Sequence, residues 1–470
     1  VLTDLSFLNI GQSWPPKSEI ERLELIRHNK AIFEGEHASE YHEAFKRIER
    51  VVGNFENVVS YAAVINYQRL LSLKQADLLV GEEPQIKAGK HDSKEQLSAD
   101  TIKKNTKLHP KSHETAIDTS RYGDGVMIVY KDGDKGMIDV TQPGAWFPVV
   151  DPMNIKKTLY HVLWTTYNVG EAVYLNVRVH RAGFYDETVF LLESNIIKEV
   201  VSHKQSIPTG LDDFAVIPFH NAMTSDRVHG LDDYSPLDSI VSELLVRVGQ
   251  ISRILDKHAA PSVSGPTSAL ERDPVTGDFK LKMGNFFPRD GKDDAPTEYI
   301  VWDAQLDANF KQIELLINSL HAISEAGSHL LGDKSESGGV LSGTALKLKL
   351  VSPLAKAKRM AMRFKPALEK AIVLCSQLGG KDIIPLQDVS ITFMDGLPSD
   401  PKEEAEIMAT RTGNKPTMSV KRAVQTFDQM NEEDAENELK QIQEEEEAAN
   451  PMLGIKTPFN GENKPPNGDE

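Results

Sequence analysis

The sequence predicts an α+β fold, and three observations carry that prediction. Helical periodicity dominates residues 17–80 and returns from residue 237 onward. Between about 116 and 222 the apolar period drops to two, which is the signature of strands. Strands grouped together and flanked by long helices make an α+β body rather than an alternating α/β chain.

Taken in order, residues 17–52 read as helix, with Ile20, Leu23 and Ile26 forming a short apolar face and charged positions between them facing water. In NYQRLLSLKQADLLVGEEPQI, residues Leu70, Leu73, Ala76, Leu79 and Val80 recur at helical spacing. Gly81 follows where a C-cap glycine is expected. The polar, Lys-rich stretch 82–112 reads as an exposed connection. VMIVY (126–130) and GMIDV (136–140) flank Lys131-Asp132-Gly133-Asp134-Lys135 and predict a hairpin. Further strands are expected in AWFPVV, LYHVLWTTY, VYLNVRVHR, TVFLLES and FAVIPFHN, with helices packed against the sheet.

The centre of the chain changes character. Leu237, Val241, Leu244, Val248, Ile251 and Leu255 step by alternating fours and threes, a single stripe down a helix of roughly 22 residues, about 33 Å long. Pro236 sits where a first turn tolerates proline, and Ala-Ala-Pro261 ends the helix. A second such helix spans 304–331, with Leu306, Phe310, Ile313, Ile317 and Leu320. Between the two lies a turn-rich segment with short strands around DPVTGD. GDKSESGGVLSG then forms a polar, glycine-rich loop. A third long helix runs from Thr344 to about Leu378, with a kink expected at Pro353. DVSITFMDG reads as a strand, 401–449 as helix, and 450–470 as a disordered tail.

Composition narrows the function. At about 150 residues per domain, 470 residues allow about three domains. Acids outnumber bases 70 to 53, a formal charge of -17. That balance argues against a general nucleic-acid binder, which usually shows a basic face, but it does not exclude a protein past which DNA slides without sticking. Cys375 stands alone, so neither an intrachain disulfide nor a cysteine-built zinc site is expected. No apolar run approaches the roughly 18 residues of a membrane helix, and the first residues do not resemble a signal sequence. A soluble protein made in a reducing compartment is the expectation.

No catalytic motif stands out. The phosphate-loop pattern is missing, and Gly123-Asp124-Gly125 lacks the third glycine of a dinucleotide fingerprint. Asp132, Asp134 and Gly136 place the glycine wrongly for a calcium loop. His37 and His42 are five apart, which fails the zincin spacing, and no G-x-S-x-G elbow occurs. No metal and no cofactor are therefore expected. Between Thr344 and Lys370 eight bases (Lys347, Lys349, Lys356, Lys358, Arg359, Arg363, Lys365, Lys370) face one acid, Glu369. The plainer reading is pairing with acidic neighbours, the acid-rich 428–447 segment among them; the sharper one is a belt of charge near DNA phosphates.

Three passages give the chain a family likeness: LSLKQADLLVGEEPQI (71–86) with its Leu-x-Gly-x-x-Pro ending, RYGDGVMIVYKDGDKGMIDVTQPGAWFPVVD (121–151), and SGTALKLKLVSPLAKAKRM (342–360) with Ser-Gly-x-Ala-Leu-Lys. In this order, with a helix–β–helix centre between the second and third, the sequence resembles the portal (head-to-tail connector) proteins of tailed double-stranded DNA bacteriophages, of the long-tailed type.

The resemblance implies a portal-like fold assembling into a homo-oligomeric ring, usually of twelve subunits, at one capsid vertex of the virion. The ring would be built in the host bacterial cytoplasm, with no membrane involved. Residues 1–230 would form an α+β wing, 231–260 the first stem helix, 261–303 a small β clip and 304–332 the second stem helix. Residues 333–343 would be the tunnel loop, 344–400 the kinked wing helix and return strand, 401–449 a helical crown and 450–470 the tail. Stem packing would fall to Leu237, Val241, Leu244, Val248, Ile251, Leu255, Leu306, Phe310, Ile313, Ile317 and Leu320, each stripe buried against neighbouring subunits.

The tunnel loop (Asp333, Lys334, Ser335, Glu336, Ser337, Gly338, Gly339, Val340, Leu341) would touch passing double-stranded DNA without sequence specificity. Asp273, Thr276, Asp278, Phe286 and Phe287 of the clip would dock the terminase large subunit and later a head-tail adaptor protein. Major capsid and scaffolding proteins are the further partners implied. Two other classes remain open from the residues alone: a carboxylate-dependent metal nuclease built on the acids near 122–139, and a helical scaffold or adaptor without a channel.

Overall fold

The computed structural model describes residues 1–52, 65–90, 93–259, 262–265, 271–272, 279–280, 286–288, 298–300, 306–330, 348–379, 383–394, 401–413, 416–427 and 432–449. The chain divides into two units, Val1–Val340 with Thr344–Leu397, and Leu341–Gly343 with Pro398–Glu470.

The helical start breaks into α1 (Lys17–Glu34), the single turn α2 (His37–Glu40) and α3 (His42–Val52). Gly35 ends α1 in the left-handed conformation, φ 97°, with its N–H closing back on the helix. The expected apolar face at Ile20, Leu23 and Ile26 is only partly used: Ile20 is exposed, and the helix instead buries Glu19, Asn29, Ala31 and Ile32. Glu19 is accommodated by Arg22, which also donates to the Pro143 and Trp146 carbonyls. Helix α4 (Tyr67–Val80) forms as expected, but Gly81 keeps right-handed helical angles rather than a left-handed cap.

The stretch 82–112 is not an exposed connection. It holds β1 (Gln85–Ala88), α5 (Lys94–Thr106) and the start of α6 (Leu108–Tyr122). Helix α5 is capped by Ser93, whose hydroxyl accepts from the Gln96 N–H. The inward face of α6 is Leu108, Ser112, Thr115, Ala116 and Thr119. Ser112, Thr115 and Thr119 each donate to the carbonyl four residues earlier, so their hydroxyls are satisfied without water. A core face built from hydroxyl residues shows little apolar period, which is why these helices read as a loop.

The strands between residues 124 and 220 fall into two antiparallel sheets. Strands β2 (Asp124–Asp132) and β3 (Lys135–Thr141) form the expected hairpin around Gly133-Asp134. Strands β4 (Trp146–Asp151), β5 (Asn154–Val169), β6 (Ala172–Arg181), β7 (Phe184–Glu193) and β8 (Ile196–Pro208) follow as a five-stranded meander. Strand β9 (Val216–His220) returns to the first sheet, giving the order β3-β2-β9. Strand β8, with Lys198, Glu199, His203 and Lys204 breaking its pattern, was not expected from sequence.

Helix α7 (Asp238–Ala259) has 22 residues, matching the stripe. After it come five short strands, β10 (Ser262–Gly265), β11 (Glu271–Arg272), β12 (Phe279–Lys280), β13 (Phe286–Pro288) and β14 (Glu298–Ile300). Strand β10 lies between β13 and β14, and β11 pairs with β12 across DPVTGD. The expected helix 304–331 is instead α8 (Leu306–Ser324) and the turn α9 (Gly327–Leu330), broken at Glu325, which takes φ 58°.

Helix α10 (Val351–Gly379) is the long one. Pro353 does not kink its interior: it occupies the first turn, where no intrahelical partner for its nitrogen exists, and Pro366 is the interior proline. Strand β15 (Val389–Thr392) pairs antiparallel with β1. The second unit contains α11 (Pro401–Thr412), α12 (Val420–Phe427) and the acid-rich α13 (Glu432–Ala449), with Lys421 paired to Glu436.

Helix α10 is the spine of the largest core. Met360, Phe364, Leu368, Ile372 and Cys375 pack against Met127, Val129, Ile138, Ile217 and Phe219 of the three-stranded sheet and against α4, α5, α6, β1 and β15. The approach is close enough that Gly136 has no room for a side chain: a Cβ there would lie 2.2 Å from the Cys375 carbonyl oxygen. A second core joins α1, α3 and α4 to the start of α7 and the end of α8. A third covers one face of the meander with Leu2, Phe7 and Trp14.

Candidate functional site

Beside the second core, the place where the α7/α8 pair meets the body carries a network of charged and polar side chains. Asp232 closes the turn before α7, accepting from the Tyr234 and Ser235 N–H groups at 2.9 and 2.7 Å and from Asn29 of α1 at 3.1 Å. Asp238, the first residue of α7, stands where the helix dipole favours an anion. It accepts from the Tyr41 hydroxyl at 2.8 Å and the Gln68 amide at 3.4 Å. His28 bridges it to α2, with Nε2 3.3 Å from Asp238 and Nδ1 2.6 Å from Glu40. The Asp238 hydrogen bond pushes the His28 pKa up against the opposing effect of burial, and Glu40 adds to the rise.

Helix α10 supplies the other half. Lys356 is buried, with its ammonium 2.9 Å from Asp233 and 3.1 Å from the Ser324 carbonyl. Asp233 also accepts from Ser120 at 2.6 Å and Asn221 at 3.1 Å. One lysine therefore ties the turn leading into α7 to the last turn of α8. One turn further on, Arg359 grips Glu325, the residue at the α8 break, at 2.7 and 2.8 Å. Both ends of the helix pair that face the body are pinned to one side of α10.

The basic stretch thus resolves residue by residue. Lys356, Arg359, Lys365 and Lys370 pair with Asp233, Glu325, Glu369 and Asp213. Lys358 is exposed, Arg363 is half-buried, and Lys347 lies outside the described residues. Lys356 was passed over because it reads as one of eight like charges. The available signal was its register, within the buried run Pro353, Ala357, Met360 and Phe364.

The stripe residues divide. Leu237, Val241, Leu244 and Ile251 are buried within the chain; the first three belong to the core shared with α3 and α8, and Leu320 joins the same core with Ile313 and Ile317 beside it. Val248 is half-buried, whereas Leu255 and Phe310 are exposed; the side chain of Leu306 lies outside the described residues. So the expectation that each stripe is reserved whole for a neighbour changes. The body-proximal part is used at home, because α3 and α8 reach it there. What stays uncovered on the stripes is Leu255 at 51% and Phe310 at 52% exposure; off them, Leu315 at 65% and Ile323 at 50% are also exposed.

The expected loop residues Asp333 to Leu341, and Asp273, Thr276 and Asp278, lie outside the described residues. Phe286 and Phe287 are in β13, paired with Val263 and Ser264. The acids that a nuclease would need do not converge. Asp132 and Asp134 sit at the exposed hairpin end, and Asp139 pairs with Lys111 at 3.2 Å. Asp124 is buried, accepting from His220 and His229 at 2.7 Å each and from the Gly230 N–H at 2.9 Å. Burial works to raise its pKa, but the two histidine hydrogen bonds outweigh it and hold the carboxyl well below the usual range. Among the described residues no three His, Cys, Asp or Glu side chains are placed to hold a metal ion, and no helix is long and apolar enough to cross a membrane.

One helix, α10, thus holds both roots of the helix–β–helix segment. The family model "Phage portal protein, SPP1 Gp6-like" matches residues 17–241 and 292–452, and the chain belongs to this family of structural proteins. Among solved structures, one similar chain comes from the neck of an empty GTA particle computed with C6 symmetry. Identity there is 8% and the TM-score 0.45, covering 78% of this chain and 90% of that one. Another comes from the neck of a native GTA particle computed with C12 symmetry, at 9% identity and TM-score 0.42, covering 76% and 89%. No curated protein matches the chain.

Proposed function

We propose that this portal protein assembles with copies of itself into a ring of twelve at one capsid vertex, forming the channel through which double-stranded DNA is packaged, retained and ejected. The observation that carries the reading is the uncovered apolar set on the α7/α8 pair: Leu255 and Phe310 continue the stripes beyond their buried part, and Leu315 and Ile323 are exposed off the α8 stripe. A helix pair that buries part of its apolar surface at home and leaves the rest bare fits a heterologous interface that closes around an axis. Residues 1–230 act as wing, 261–303 as clip and 401–449 as crown.

The clip, with Asp273, Thr276, Asp278, Phe286 and Phe287, docks the terminase large subunit and then a head-tail adaptor, while capsid and scaffolding proteins meet the outside. The loop Asp333–Leu341 makes glancing contact with DNA. Its single base, Lys334, is flanked by Asp333 and Glu336, which suits sliding better than holding. Energy for translocation comes from the separate terminase.

Negative-stain microscopy and light scattering of the purified chain test the reading. A hollow, rotationally symmetric particle is expected, and Phe310→Glu with Leu315→Glu should shift it to single chains. A monomer, a filament or a solid aggregate from the unaltered chain would sink the proposal.

A further inference from the structure

Helices α7 and α8 do not seal the seam between them. A hole of about 110 Å³ remains, walled by Val241, Leu244 and Val248 of α7, by Ile313 and Ile317 of α8, and by Ile65 just ahead of α4. The lining is aliphatic apart from Tyr67, so it lacks the several polar partners that hold a buried water. Dry cavities of about 150 Å³ accept a guest as large as benzene, and this smaller one has room for a single aliphatic side chain. The hole is open at its rim, where Val248 is half-buried and Ile65 is exposed.

A side chain that fits lies on the other side of α8. Leu315 is 65% exposed, more than Leu255, Phe310 or Ile323. It is two residues from Ile313 and two from Ile317, so at about 3.6 residues per turn it points away from both. Lys311, Asn318 and Ala322 share its side of the helix and are exposed as well.

Height along the helix singles Leu315 out. Copies related by rotation about one axis meet at equal height, and Leu315 lies between the two α8 residues that wall the hole. Phe310 and Leu255 continue the stripes on the hole's own side, and Ile323 lies about two turns further along. A hole on one side and a knob on the other are two different patches, which is what a heterologous contact needs; a two-fold dimer would set one patch against itself.

We propose that Leu315 of one copy inserts into the α7/α8 hole of the next copy, and that this contact fixes the register of neighbouring subunits. The inference rests on the ring reading above and adds to it which residues meet. A free apolar molecule would fill the hole equally well but would leave Leu315 in water.

Paired cysteines in the full chain test it, since the native thiol, Cys375, is buried. With Leu315→Cys and Val248→Cys together, a short thiol-to-thiol cross-linker added to assembled particles should give a ladder of linked chains on denaturing gels. Neither single substitution should give one, nor should Leu315→Cys with Leu255→Cys, about two turns away. Leu315→Ala should raise about tenfold the protein concentration at which particles dissociate, and Leu315→Met, which refills the hole, should restore the parent value. A hollow ring that gives no ladder, gives an equal ladder through Leu255→Cys, or is indifferent to Leu315→Ala overturns the insertion and leaves the ring reading standing. Single chains from the unaltered protein overturn both.

Discussion

Replacing Lys356 by Met keeps the length and apolar stem of the side chain and deletes only its charge. The ammonium bridges Asp233 at 2.9 Å and the Ser324 carbonyl at 3.1 Å, and the two charged side chains are 8% and 10% exposed. Breaking a buried pair by removing one partner costs about 3–5 kcal/mol, because the other charge stays behind. Asp233 keeps its bonds from Ser120 and Asn221, which places the loss near the lower end, about 3 kcal/mol.

The penalty falls on the roots of the helix pair. Hydrogen exchange of backbone amides at 237–246 and 320–324 should therefore speed up roughly 100-fold, since every 1.4 kcal/mol is a factor of ten. Adding Asp233→Asn to the same chain should restore much of the protection. Lys365→Met provides the contrast: its pair with Glu369 spans 3.8 Å with the lysine 42% exposed, and such pairs contribute about 0–1 kcal/mol. If Lys356→Met left exchange at both roots within about threefold of the parent chain, or if Lys365→Met matched it, the anchoring argument would be wrong.

Three further outcomes are expected. His28 has a raised pKa through Asp238 and Glu40, so its stabilising effect is complete below the ordinary value of 6.5 and is lost as pH rises through the raised one. Exchange at the start of α7 should increase over that window, and His28→Gln should flatten the dependence. Gly136→Ala would force a methyl group against the Cys375 carbonyl and should cost about 1–3 kcal/mol in denaturant titration. Asp124→Asn weakens the hold on His220, His229 and Gly230 and should cost about 1–3 kcal/mol. Neither it nor the parent chain should cut DNA with Mg²⁺; metal-dependent cleavage abolished by the substitution would revive the nuclease reading.

Much of the fold was legible because its elements carry strong periods. The α7 stripe predicts a helix of the observed length, and the β2–β3 hairpin follows from Gly133 and the alternation around it. Helix α6 was hidden because Ser112, Thr115 and Thr119 face the core, made tolerable only by bonds to their own backbone, and α5 because it buries only Ala99, Ile102 and Thr106. Strand β8 was hidden because it is largely exposed and therefore carries charge. The root of the helix pair was hidden for another reason. Asp233, Lys356 and Ser324 are far apart in the chain, and nothing local distinguishes Lys356 from Lys358 except the side of the helix it occupies.

The sequence alone determined the α+β class, the two striped helices around a β insertion, the acidic balance and, through three short passages, the family. These are local or compositional properties, written in spacing and charge. Tertiary structure decided which part of each stripe is spent inside the chain, which lysines are pins and which face water, and that a hole is left in the seam between α7 and α8. Those outcomes depend on which surfaces exclude water from one another, and a one-dimensional pattern records only that a side chain prefers burial, not what it will be buried against.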